Sequence, residues 1–222
     1  MPKCCFLYLA RHGETIWNAC GRLQGRLTSS LTHRGYEHAH ALAVLANRLG
    51  VERVLASPLD RARITARVVA KGVSCKLEVA DALCEIDFGH CSGLTLREVS
   101  QKFPGIMEAR RADKWNHRWP DGESYADGAD RLEAWLGTEM FLPPSSHTMI
   151  VAHQSINRSL LSLLTDKARR DILASEQPAD VVLRIGPGKS VSCCRVPSCD
   201  GGELIRWLSG LYVSRAFSVA GS

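Results

Sequence analysis

Three short, largely apolar runs, Phe6–Ala10, Arg53–Ala56 and Thr148–Ala152, each give way within a few residues to a polar stretch and then to a helical pattern. That alternation constrains the fold more than any other feature of the sequence. Runs without a polar face are buried on both sides, and helices between them act as crossovers, so the strands must lie mostly parallel. The spacing predicts a helix over His33–Leu49, opened by Thr32 as N-cap and closed by Gly50, and another over Leu59–Lys71 ended by Gly72. Lys76–Val79 reads as an edge strand, Leu96–Phe103 as a short helix stopped by Pro104, and Tyr125–Met140 and Ile156–Leu164 as further helices. Val181–Ile185 and Ser190–Val196 read as a hairpin around Gly186-Pro187-Gly188. The expected architecture is a three-layer α/β/α sandwich with a mostly parallel central sheet. It forms one domain over 1–208, followed by a flexible tail over 209–222.

Composition narrows the class. With 45% hydrophobic and 23% charged residues, the 222-residue chain has the balance of an ordinary soluble domain. Its net charge of +5 is too small and too dispersed to indicate a nucleic-acid partner, but it suits an anionic small molecule. No apolar run approaches the roughly 20 residues needed to span a bilayer, so no membrane partner is expected. Arg11-His12 cuts short the apolar start, which reads as a strand and not as a signal peptide. The nine cysteines are therefore expected as reduced thiols in a cytoplasmic protein. They include no spaced pairs of the zinc-binding kind. Cys193-Cys194 with Cys199 is a metal hint set against ordinary strand cysteines. Gly186-Pro187-Gly188-Lys189-Ser190 imitates the end of a phosphate-binding loop, but Leu183 stands where the pattern needs glycine. It reads as a turn.

Candidate chemistry gathers where strands end. The first strand runs into Arg11-His12-Gly13-Glu14-Thr15, with Trp17-Asn18 behind it. Ligands of open α/β sheets bind at the carboxyl ends of strands, where arginine can fork around oxygens and glycine lets backbone N–H groups approach. The second strand leads to Ser57-Pro58-Leu59 and Arg61. Arg63, Arg67 and Lys71 form a solvated stripe along the following helix, whereas Arg61 lies about 200° from Arg63 by the helical period. The third strand ends in His153, repeating the topology of His12. Glu85 sits among apolar neighbours on a loop, where a carboxyl group would keep its proton and could donate it; Asp87 is the rival donor.

Taken together, these residues resemble the histidine phosphatase superfamily, the phosphoglycerate-mutase-like proteins. The resemblance rests on the strand into Arg11-His12-Gly13-Glu14-Thr15, Gln24-Gly25, Leu31-Thr32 with Gly35, Ser57-Pro58-Leu59 with Arg61, Glu85 with Phe88-Gly89, Gly122-Glu123-Ser124 and Val151-Ala152-His153. It implies a phosphatase without cofactor or metal, acting on phosphomonoesters of small metabolites. His12 would attack phosphorus and form a phosphohistidine. Arg11, Arg61 and His153 would balance charge on the phosphoryl oxygens, and Glu85 would protonate the leaving alkoxide and then activate water. Asn18, Gln24, Gly25 and Gln154 would join Arg11, Arg61 and His153 in binding substrate. A phosphoglycerate-type mutase, and a non-catalytic or phosphoprotein-directed signalling member, are the alternatives the resemblance leaves.

The sequence departs from the pattern at two points. Gln154 replaces the glycine common after the second histidine and resembles the fructose-2,6-bisphosphatase branch there. Arg26-Leu27-Thr28-Ser29-Ser30 lacks the usual Asp and Pro before Leu31. Substrate choice is expected from 102–124, a candidate lid rich in cations that would favour sugar phosphates or multiply charged metabolites. A homodimer through the edge strand Lys76–Val79 is also expected.

Overall fold

The computed structural model describes residues 5–138, 146–198 and 204–213. Seven strands form one mixed sheet: β1 (Leu7–Arg11), β2 (Arg53–Ala56), β3 (Leu77–Val79), β4 (Thr148–Ala152), β5 (Val181–Ile185), β6 (Val191–Arg195) and β7 (Leu208–Ser209), in the order β3-β2-β4-β1-β5-β6-β7. The β3-β2-β4-β1 portion is parallel, and β5, β6 and β7 continue it antiparallel. The sandwich is thus as expected, with parallel strands in its core. Residues 209–213 are not a loose tail. Ser209 pairs with Ser192 and Tyr212 is buried, while 214–222 lie outside the described residues.

Alternation along β1 explains the layers. Leu7 and Leu9 face a core shared with Leu132, Ile156 and Leu160, from α6 (Tyr125–Leu136) and α7 (Gln154–Leu164). Tyr8 and Ala10 face the opposite core, with Leu42, Leu45, Ala66 and Val69 from α2 (His33–Arg48) and α3 (Asp60–Gly72). Cys193 and Cys194 divide between the two cores in the same way. Adjacent strand residues point apart, so the pair cannot close on one ion. Burial pushes the Cys194 thiol up to about 12. These are strand cysteines that pack.

Several boundaries differ from the sequence reading. Gly72 is the last residue of α3 instead of its stop, and a Cβ there would stand 2.9 Å from that of Ala43 in α2. Helix α7 begins at Gln154, two residues before the expected Ile156, since His153 is its extended N-cap. A short helix, α1 (Ile16–Ala19), follows the loop that carries His12, held by reciprocal capping between Thr15 and Asn18. It contains no buried residue, so no apolar stripe announced it. Beyond α4 (Leu96–Lys102), the candidate lid contains α5 (Ile106–Ala112) and buries Trp115 and Trp119. These rings pack it onto the core as a flap. A last helix, α8 (Arg169–Ala174), follows α7.

Two backbones meet at Gly13 and Gly35. A Cβ on Gly35 would stand 2.1 Å from the Glu14 carbonyl oxygen, and one on Gly13 would stand 2.3 Å from that of Gly35. Helix α2 is therefore seated against the loop that carries His12. Gly35→Ala is expected to cost about 2 kcal/mol or more, because backbone on both sides cannot yield locally. A denaturant midpoint equal to wild type would contradict that.

Candidate active site

Strands β1 and β4 lie side by side with Arg11 opposite Ala152, so His12 and His153 leave the sheet as neighbours. Their ring centroids are 5.2 Å apart, inclined by 57°. Arg11, His12, Asn18, Gln24, Gly25, Arg61, Glu85, Phe88, Gln154 and Ser155 contribute to one pocket of about 200 Å³.

The hydrogen bonds decide which nitrogen of each ring is free. His12 Nδ1 lies 2.7 Å from the Gly13 carbonyl oxygen, which can only accept, so Nδ1 carries the proton. Nε2 is left with a lone pair facing the pocket. Arg61 Nε donates to it at 3.2 Å. Burial, then Arg61 and Arg11, push the His12 pKa well below the usual imidazole range. The neutral ring a phosphorus nucleophile requires is therefore the resting form. His153 is fully buried, with Nε2 2.8 Å from Ser57 Oγ. Ser57 Oγ also accepts the Leu59 N–H at 3.3 Å. His153 Nδ1 is buried and has no hydrogen-bond partner among the described residues. Burial, then Arg61, push this pKa well below the usual imidazole range too.

Arg61 is the most constrained cation of the site. It is 3% exposed, and its Nη2 and Nη1 donate to the Gly25 and Leu27 carbonyls at 2.7 and 3.0 Å. Desolvation lowers its pKa to about 10, which leaves it charged at neutral pH. Arg11 is held by the Gln177 carbonyl at 3.3 Å. Glu85 lines the same pocket and is buried. Burial raises its carboxyl pKa against the pull of Arg61. Ile86 N–H donates to Glu85 Oε1 at 3.0 Å and the Ser155 hydroxyl also bonds the carboxyl group. Asp87 instead caps the turn that follows, accepting from Gly89 N–H at 2.8 Å. It does not line this pocket.

A family profile described as histidine phosphatase superfamily (branch 1) matches residues 7–187. The chain belongs to that superfamily. Rat 6-phosphofructo-2-kinase/fructose-2,6-bisphosphatase 1 is 35% identical over 194 residues, covering 86% of this chain and 39% of the rat protein. The chain thus spans about two-fifths of that relative. A probable phosphoglycerate mutase of Erwinia tasmaniensis is 35% identical over 147 residues, covering 66% of this chain and 68% of that one. Among solved structures, a mycobacterial glucosyl-3-phosphoglycerate phosphatase complexed with VO3 superposes with a TM-score of 0.70 at 26% identity, over 94% of this chain and 98% of that one.

Within this member of the histidine phosphatase superfamily, the remaining residues expected to bind substrate have distinct surroundings. Asn18 spends its side-chain oxygen on Thr15 N–H at 3.1 Å, and the residue borders the pocket. Gln24 donates to Thr15 Oγ1, and Gly25, at φ +53°, offers its carbonyl to Arg61. Both line the pocket, yet these contacts shape its wall instead of facing a ligand. Gln154 lines it from the first residue of α7. Ser57, Ser155, Arg158 and Tyr125 carry roles the sequence reading missed. For Ser155 and Arg158 there was a usable signal: they follow His153 within the opening turns of one helix, and Arg158 lies one turn after Gln154.

Proposed function

We propose that this protein is a metal-independent phosphatase of small metabolites that works through a phosphohistidine on His12 Nε2. The observation carrying this is the fixed tautomer of His12, whose Nε2 lone pair accepts only from Arg61, in a pocket that Arg11, Arg61 and Glu85 also line. His12 Nε2 would form a bond to phosphorus as the ester P–O bond breaks in line. Arg11, Arg61 and the His153 Nδ1–H would hold the equatorial oxygens, the guanidinium groups supplying fixed positive charge. Glu85 would give its proton to the departing alkoxide. As carboxylate it would then take a proton from water attacking phosphorus, and the P–N bond would break to release phosphate and neutral His12.

Substrates with a second anionic group fit the surroundings best. Behind Arg11, the cations Arg158, Arg110 and Lys114 lie within electrostatic reach of one another. None of these three is paired with a carboxylate among the described residues. Arg158 Nη1 donates to Tyr125 Oη at 2.9 Å, and Arg110 lies over the Trp119 ring at 4.6 Å. Lys114 donates to the Leu173 carbonyl at 2.8 Å, with its pKa lowered to about 8 by burial and these neighbours. Cations gathered without counter-charge are costly, and an anionic ligand supplies what is missing. By contrast Arg111 pairs with Glu108 and Arg118 with Asp127, so they are not part of the cluster. Fructose 2,6-bisphosphate, named in the rat relative, has the required form.

Phosphate release should be measured in EDTA on p-nitrophenyl phosphate and on fructose 2,6-bisphosphate. Wild type is expected to prefer the second. Arg110→Gln with Arg158→Gln should lower kcat/KM for it about 100-fold, with a far smaller change for p-nitrophenyl phosphate. Release that requires a divalent metal, or transfer of phosphate between hydroxyls stimulated by 2,3-bisphosphoglycerate, would overturn the assignment.

A further inference from the structure

The segment carrying Glu85 lies between two one-turn 3-10 helices, Asp81–Leu83 and Gly89–Cys91, and has no regular structure of its own. Its backbone groups are held by side chains from elsewhere. From α6, Arg131 Nη2 donates to the Cys84 carbonyl at 2.9 Å and Nε to the Ala82 carbonyl at 3.3 Å. Arg131 Nη1 donates to Glu123 Oε1 at 2.8 Å. The other oxygen of that carboxylate, Glu123 Oε2, accepts the Asp87 N–H at 2.9 Å, and the Glu123 N–H donates to the Asp87 carbonyl at 2.8 Å. Glu85 is thus gripped through the residue before it and through the second residue after it. Neither Arg131 nor Glu123 lines the pocket.

The clamp continues across the site. Arg26 Nη2 donates to Glu123 Oε1 at 2.7 Å. Arg26 stands between Gly25 and Leu27, whose carbonyls hold Arg61. One carboxylate, Glu123, therefore links the loop that bears the acid to the loop that fixes the phosphate-binding arginine. Arg131 and Glu123 are about one-fifth exposed, and charge-assisted bonds in such sites are stronger and more directional than neutral ones.

We propose that Arg131, acting through Glu123 and the two carbonyls, is a positioning residue that keeps Glu85 buried, protonated and aimed at the leaving oxygen. This rests on the reading of Glu85 as the acid. Freed of the clamp, the loop would admit water, the Glu85 carboxyl would ionise at lower pH, and proton donation would fail while the His12 cradle stayed intact. Loss should then track how much the leaving group needs a proton.

The test compares wild type, Arg131→Met, Arg131→Lys, Glu123→Gln and Glu85→Gln on p-nitrophenyl phosphate, whose phenolate leaves without help, and glycerol 2-phosphate, whose alkoxide needs protonation. Single-turnover formation of the phosphoenzyme is read across pH, with the urea midpoint of each variant. Arg131→Met is expected to slow phosphoenzyme formation from glycerol 2-phosphate about 30-fold while that from p-nitrophenyl phosphate changes about threefold or less. The alkaline limb for glycerol 2-phosphate should move to lower pH. Arg131→Lys should recover part of the loss, since an ammonium reaches Glu123 without spanning both carbonyls. Should Arg131→Met not fold, Arg131→Lys carries the same comparison with a smaller effect, since Glu123 also reaches the Arg61 loop through Arg26. Equal losses on both substrates, or an unmoved alkaline limb, would overturn the proposal. If Glu85→Gln itself spares glycerol 2-phosphate, the reading of Glu85 falls and this proposal with it. If Glu85→Gln is impaired and the Arg131 and Glu123 variants are not, this proposal alone falls.

Discussion

Replacement of His12 by alanine is expected to abolish turnover, with a loss on the order of 10⁴-fold or more and no trapped phosphoenzyme. Everything else in the pocket is arranged around one lone pair. The Gly13 carbonyl fixes the proton on Nδ1, and burial beside Arg61 and Arg11 keeps the ring neutral. No described neighbour offers a comparable nucleophile, since His153 Nε2 is committed to Ser57. The variant should still fold, because the deleted ring gives up a contact to the adjacent residue, a bond from Arg61 and its packing against the His153 ring, while the backbone bond to Ala152 stays. Wild type quenched during turnover with radiolabelled substrate should retain label that survives alkali and is lost in acid, as a phosphoramidate behaves. An alanine variant that still acquires such label would sink the assignment of the nucleophile.

Glu85→Gln is the second large effect, expected at 10²- to 10⁴-fold in kcat on alkyl phosphates. Glutamine keeps the size of the side chain and can still accept the Ile86 N–H, so the loop should hold its shape. It has no acidic proton to give and cannot take one from water, so both halves of the cycle slow. The pH dependence carries a sign that can be checked. Burial raises the Glu85 pKa, so its acid form persists above the ordinary carboxylate range. The His12 pKa is depressed, so its neutral form persists well below the ordinary imidazole range. For wild type, kcat/KM should be bell-shaped, falling in acid as His12 protonates and in alkali as Glu85 ionises. The alkaline fall should vanish in Glu85→Gln. An unchanged alkaline limb in that variant would assign the proton donor elsewhere.

The strand-to-loop signals were legible because they are local. A buried run that ends in Arg11-His12 or in His153 states both a strand and what stands at its end. Helical phase alone separated the buried Arg61 from Arg67 and Lys71, which the structure leaves exposed. What could not be read depends on contacts between distant segments. Ser57 bonds the His153 ring across 96 residues of sequence, and Arg131 reaches Cys84 across 47. Cations on 102–124 looked alike in sequence, whereas packing turns Arg110 onto Trp119 and leaves Arg111 with Glu108 on the surface. The start of α7 was missed for a related reason. His153 caps the helix through its backbone conformation, without a side-chain hydrogen bond to mark the position.

The register that places Arg11 opposite Ala152 has an evolutionary consequence. His12 and His153 are spaced by one gap between adjacent strands, in the middle of the sheet, where neither can drift without disturbing both hydrophobic cores. The cations that would receive the remainder of a substrate come from elsewhere: Arg110 and Lys114 from the flap, Arg158 from farther along α7. New specificities can therefore arise by changing those elements while the two histidines remain where the sheet holds them. A lineage built this way can diversify its substrates many times without reinventing its chemistry.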